Sequence, residues 1–86
     1  MSRWTVRLSK TAERELKGLD RQTQTRIVEA LRALAVDPEH GPNVQKLTGV
    51  ERWRRRVGDY RIIYELQQDV VVVLVLTIAH RREVYR

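Results

Sequence analysis

Two segments hold the side chains with most chemical reach: Arg52-Trp53-Arg54-Arg55-Arg56-Val57-Gly58-Asp59-Tyr60-Arg61-Ile62-Ile63-Tyr64 and the ending His80-Arg81-Arg82-Glu83-Val84-Tyr85-Arg86. Arginines alternate with aromatic and β-branched residues, so the positive charge is carried on strands. Guanidinium groups held on a rigid sheet grip phosphate in a fixed, bidentate geometry. Clustered at one spot, they would stabilise the extra negative charge of a pentacoordinate phosphoryl transition state. RNA brings its own nucleophile, the 2′-hydroxyl. A protein that holds the backbone in line and neutralises charge can therefore cut RNA without a metal, and such orientation contributes on the order of 7–11 kcal/mol in favourable cases. Arginine is a poor general base because it stays protonated. His80 is the candidate for proton transfer near the cluster, because histidine exchanges protons near neutral pH. Tyr85 is either a core aromatic or a stacking platform for a base.

Other chemistries lack their residues. The chain has no cysteine, which excludes disulfides and thiolate metal sites and fits a reducing cytoplasm. Its two histidines, His40 and His80, are too few for a histidine-based zinc site, and no metal or cofactor is expected. No serine–histidine pair, carboxylate pair or glycine-rich phosphate loop appears; Gly58-Asp59 reads as a turn. The start, Met-Ser-Arg-Trp-Thr-Val, does not resemble a signal peptide. The apolar run Val70–Leu76 is too short to cross a bilayer as a helix. The net charge is +6, and since only Lys10, Lys17 and Lys46 are lysines, 14 of the 17 basic residues are arginine. That bias suits planar targets such as phosphate, or acidic partner surfaces; a GC-rich coding bias toward arginine is the competing explanation.

The 86 residues suffice for one small domain, 1–86, with 42% apolar and 33% charged residues, a globular composition. Trp4, Val6 and Leu8 alternate with Thr5 and Arg7 as a first strand. Ser9 caps a helix carrying Ala12, Leu16 and Leu19, which Gly18 can end. Asp20 caps a second helix whose apolar face is Ile27, Leu31 and Leu34, with Leu19 as a hydrophobic staple. Asp37-Pro38 stops it. Residues 37–50 read as the only long loop. Strands follow at about Arg52–Val57, Tyr60–Leu66 and Val70–Ile78, joined by turns short enough to require antiparallel hairpins. The last is apolar nearly throughout and reads as the central strand, buried on both faces. The fold class is α+β, with two helices packed on one face of a small, mainly antiparallel twisted sheet.

Period-2 geometry sorts the arginines. With Trp53 and Val57 turned to the helices, Arg52, Arg54 and Arg56 share the open face. With Tyr60 and Tyr64 in the core, Arg61 joins them. Arg55 falls on the helix side, where it must snorkel to the edge or pair with Glu51 or Asp59. A charged, solvated sheet face is the purely structural reading. Against it stands the local imbalance of five arginines over residues 51–64 with only Glu51 and Asp59 in opposition. The tail residues His80, Arg81, Arg82, Tyr85 and Arg86 are expected to converge on the same face.

The hairpin Trp53–Tyr64, the Val-rich strand and the ending His80–Tyr85 resemble the RelE toxins of the RelE/ParE toxin–antitoxin superfamily. The opening strand and helix pair with Ser9, Ala12, Glu13 and Leu16, and the loop Lys46-Leu47-Thr48-Gly49, resemble them too, so the likeness spans nearly the whole chain. It implies a RelE-like fold and a type II toxin that cuts mRNA at the ribosomal A site through 2′-hydroxyl attack. A cyclic phosphate would be left. It further implies a metal-independent endoribonuclease working in the cytoplasm with ribosome and mRNA, in complex with a small RelB-like antitoxin that wraps around it. Arg54 and Arg56 occupy positions where a well-studied member has lysines; Arg61 and Arg81 match arginines that hold the phosphate or protonate the leaving group; Tyr85 matches a tyrosine that orients the RNA. His80 stands where that member has lysine. The expected catalytic set is thus Arg54, Arg56, Arg61, His80, Arg81 and Tyr85, with Arg52, Arg55, Arg82 and Arg86 binding RNA. Two alternatives share the fold: a ParE-type toxin that poisons gyrase without nuclease activity, and an inactive partner-binding domain.

Overall fold

The computed structural model describes residues 3–80. In chain order the elements are β1 (Thr5–Leu8), α1 (Lys10–Lys17), α2 (Arg21–Val36), β2 (Val44–Lys46), β3 (Trp53–Val57), β4 (Tyr60–Gln67) and β5 (Val72–His80). The strands form one sheet in the order β1-β5-β4-β3-β2, antiparallel except for the β1–β5 pair. Both helices lie on one face, as the apolar periodicities require. Among the described residues no helix is long and apolar enough to cross a membrane.

Each helix starts where a short polar side chain can satisfy a free amide. Ser9 Oγ accepts from Ala12 N at 3.0 Å, and Asp20 Oδ2 accepts from Thr23 N at 3.3 Å. Gly18 ends α1, its N–H donating to the carbonyls of Arg14 and Glu15. Gln24 Nε2 then donates to the carbonyl of Leu16 at 2.9 Å, tying the start of α2 to the end of α1. The core is Ala12 from α1, Ile27, Ala30, Leu31 and Leu34 from α2, and Ile62, Tyr64, Val73, Val75 and Ile78 from the sheet. Each large apolar side chain so buried contributes about 1.5–3 kcal/mol.

Three strand expectations need correction. The stretch 37–50 is not all loop: Val44–Lys46 forms an edge strand on β3, with Gln45 opposite Arg54. Three residues between Gly41-Pro42 and Thr48-Gly49 are too few to show an alternation. The last strand begins at Val72 because Val71 adopts a left-handed φ of 53° to close the preceding turn, leaving Val70 exposed. It is also not the middle strand. β4 is, while β5 lies between β4 and β1.

β5 carries a bulge. Val73 and Val75 face Leu66 and Tyr64, but the next partners are Thr77 with Ile63 and Ile78 with Ile62, so Leu76 is the extra residue. A one-residue slip moves every later side chain to the other face. Beyond the bulge, Ile78 and His80 therefore fall on the helix side. β1 has ended there, and α1 satisfies the exposed backbone edge. Ser9 Oγ donates to the carbonyl of Leu76 at 2.7 Å; Glu15 Oε1 accepts from Ile78 N at 2.8 Å and from Thr77 Oγ1 at 2.7 Å. Glu15→Ala removes an ionised acceptor from that edge and is expected to lower stability by about 1.5–3 kcal/mol in urea unfolding. Glu15→Gln keeps an acceptor for the Ile78 amide and should recover part of the loss.

Tyr64 is fully buried, and its hydroxyl donates to the carbonyl of Pro38 at 2.6 Å, fastening the turn after α2 to the sheet. Burial pushes its pKa above the ordinary value of 10.0, with the nearby Arg55 charge acting weakly the other way. A group raised in the folded state contributes full stability below its unfolded pKa and less above it. The unfolded tyrosine ionises above about pH 10 while the folded one holds its proton. Urea midpoints should therefore fall as the pH rises above about 10, and the fall should be smaller in Tyr64→Phe.

Candidate nucleic-acid interface

β3 and β4 form the hairpin that organises the arginines. Gly58, with φ of 57°, takes the left-handed turn conformation that favours glycine, and the register sets Arg54 opposite Ile63 and Arg56 opposite Arg61. Trp53, Arg55 and Val57 share the helix side with Tyr60, Ile62 and Tyr64. Arg54, Arg56 and Arg61 share the open face.

The electrostatics of that face are unbalanced. Directly opposed residues place their Cβ atoms about 4.5–5.5 Å apart, and like charges there are destabilising. Arg56 and Arg61 are such a pair. Arg61 is also buried, at 7% exposure, the lone charged side chain buried among the described residues. Its Nη1 donates only to the carbonyl of Tyr60 at 3.2 Å, and its Nε is buried without a partner. Among the described residues neither Arg56 nor Arg61 forms an ion pair. A buried guanidinium with unused donors is costly unless an anion completes it.

The neighbouring arginines differ. Arg54 is held by Gln45 on the edge strand, its Nη2 donating to Oε1 at 2.5 Å. Arg52 pairs with Glu65, Nε to Oε2 at 3.6 Å, so its charge is partly met within the protein. Arg55 meets neither Glu51 nor Asp59. Its Nη1 donates to the carbonyl of Pro42 at 2.6 Å, so it snorkels to the loop before β2. Gln45 went unnoticed in the sequence because β2 did; a polar residue in register with Arg54 would have been the signal.

His80 stands apart from the arginine face. It lies opposite Tyr60, the two rings edge-to-face at 5.4 Å, beside a cavity of about 200 Å³ lined by Arg14, Glu15 and Leu19. The expectation that the tail converges on the face of Arg54, Arg56 and Arg61 does not hold for His80, because the bulge at Leu76 turns it to the helix side. Arg81, Arg82, Tyr85 and Arg86 lie outside the described residues.

Comparison with known proteins places this arrangement in a class. The sequence profile of the family described as the ParE toxin of type II toxin–antitoxin systems matches residues 6–85. The chain is 33% identical over 86 residues to Toxin RelG of Mycobacterium tuberculosis, covering 96% of this chain and 97% of that protein. The chain belongs to the RelE/ParE superfamily and is a toxin of a type II toxin–antitoxin system. Among solved structures, it is similar to the toxin–antitoxin complex RelBE2 of M. tuberculosis, with a TM-score of 0.82, 27% identity and 94% of each chain covered. The archaeal RelE–RelB complex from Pyrococcus horikoshii OT3 gives 0.80 at 28% identity, with 91% of this chain and 94% of that chain covered. The isolated RelE toxin of E. coli shares the fold, with a TM-score of 0.81 at 23% identity and 96% and 92% of the two chains covered.

Proposed function

We propose that this protein is a ribosome-dependent mRNA endonuclease that cleaves by 2′-hydroxyl attack on the adjacent phosphorus, releasing the 5′-oxygen and leaving a cyclic phosphate. The supporting observation is the Arg56–Arg61 pair: two opposed cations on a rigid hairpin, one of them buried with donors to spare. A solvated face has no use for that arrangement, whereas a phosphate gaining negative charge does. Arg61 would meet the non-bridging oxygens, with Arg54 and Arg56 holding the flanking backbone. From the family resemblance, Arg81 and Tyr85 would complete the site by protonating the leaving group and orienting the RNA. No proton step is assigned to His80, because the sheet separates it from Arg54, Arg56 and Arg61. The site would work in the cytoplasm and be silenced by a RelB-like antitoxin; the similar M. tuberculosis, P. horikoshii and E. coli toxins were solved in complex with RelB-type partners.

The test is a translating extract given the purified toxin, with mRNA 5′ ends mapped by primer extension. New ends within the reading frame are expected; continued translation with intact message would overturn the reading. The match to the ParE profile favours gyrase poisoning as the second reading. Toxin-dependent breaks in DNA, with message intact, would select it.

A further inference from the structure

The helix side of the arginine hairpin has an anion-seeking feature that the cleavage chemistry does not use. An open groove of about 280 Å³ runs between α2 and the β3–β4 turn, lined by Arg26, Glu29, Asn43, Arg55, Arg56 and Gly58. Arg26 projects from α2 over the turn, and a methyl group placed on Gly58 would stand 3.5 Å from its Nη2. Arg55 enters from β3, fixed by its bond to the Pro42 carbonyl, with its Nε buried and unpartnered. Glu29 is the sole acid on the walls, yet among the described residues it pairs with none of these arginines. Three cations thus border one small space against a single acid, with no ion pair among them. Arg56 sits where the groove meets the open face.

We propose that this groove is a second phosphate site, which takes the RNA backbone beyond the linkage held on the open face. Planar guanidinium groups from two elements suit the oxygens of a phosphodiester. Ala30 and Val57 are the only larger apolar contributions to its lining, too small a surface to dock a hydrophobic helix. The choice of RNA as ligand rests on the nuclease reading; the anion chemistry of the groove stands on its own residues.

The test uses a short, fully 2′-O-methylated RNA, which binds but cannot be cut by 2′-hydroxyl attack, so its outcome is separate from that of the cleavage assay. Affinity is measured by fluorescence anisotropy over a salt series. Each neutralised phosphate steepens the dependence of log Kd on log salt by about 0.7 for a single strand. Arg26→Gln should weaken binding and reduce that slope by about one contact's worth, and Arg26→Lys, which keeps the charge, should retain most of it. Arg32→Gln, on the outer face of α2, should leave both quantities unchanged. An unaltered slope in Arg26→Gln, or failure of the wild-type protein to bind the RNA, overturns the proposal. So does the finding that Arg26→Gln weakens capture of a glutamate-rich peptide but not of RNA, which would make the groove a protein contact.

Discussion

Arg61→Ala is expected to lower message cleavage by about 10²–10³-fold, the usual scale for losing one transition-state donor. The position of the guanidinium is the reason. It is buried on the middle strand of the sheet, opposite Arg56, and its one hydrogen bond is to a backbone carbonyl. Its charge is therefore of little service to the fold. Removing it relieves a cross-strand repulsion and a buried unpaired cation, at the cost of some packing by its aliphatic stem. The melting temperature of Arg61→Ala should thus hold or rise while activity collapses. A purely structural arginine would show the reverse, with stability lost and residual activity in proportion to the folded fraction. Arg61→Lys retains a charge without the planar fork and should fall between the two.

Tyr64→Ala should be among the most damaging changes to the fold, costing about 3–5 kcal/mol as judged from large aromatic truncations. Natural domains are stable by only about 5–15 kcal/mol, so the variant would approach or cross its unfolding midpoint at ordinary temperature. Two losses combine. The ring is completely buried between α2 and the sheet, and the hydroxyl is the tether that holds the Pro38 turn. Tyr64→Phe isolates the second and should cost about 1 kcal/mol. Urea unfolding followed by tryptophan fluorescence reads both, since Trp4 and Trp53 pack on the same core.

The parts of this molecule that were legible in the sequence are those governed by local rules. Ser9 and Asp20 were readable as caps because a short polar side chain before an apolar helical stripe has one economical use. The open-face placement of Arg54, Arg56 and Arg61 followed from a two-residue connection and strict alternation on both sides of it. What could not be read depended on non-local partners. β2 is a strand only because Gln45 and its neighbours find β3, not because three residues prefer extension. Arg55 is satisfied by a carbonyl thirteen positions away, which no spacing rule singles out. The bulge at Leu76 is invisible in an unbroken apolar run, yet it turns His80 toward Tyr60 and away from the arginines. Glu15, apparently one more helix-surface acid, proves to hold the edge of β5 beyond that bulge.

In the proposed reaction the protein contributes charge and alignment while the RNA contributes the nucleophile. That division is tested most directly by placing in the ribosomal A site a message with ribose at every position but one, that one being a 2′-deoxynucleotide on the 5′ side of the cut linkage. The all-ribose message should be cut with a cyclic phosphate at the new 3′ end, and the deoxy-substituted linkage should stay intact. Equal cleavage of both messages would show that another nucleophile attacks and would contradict that division.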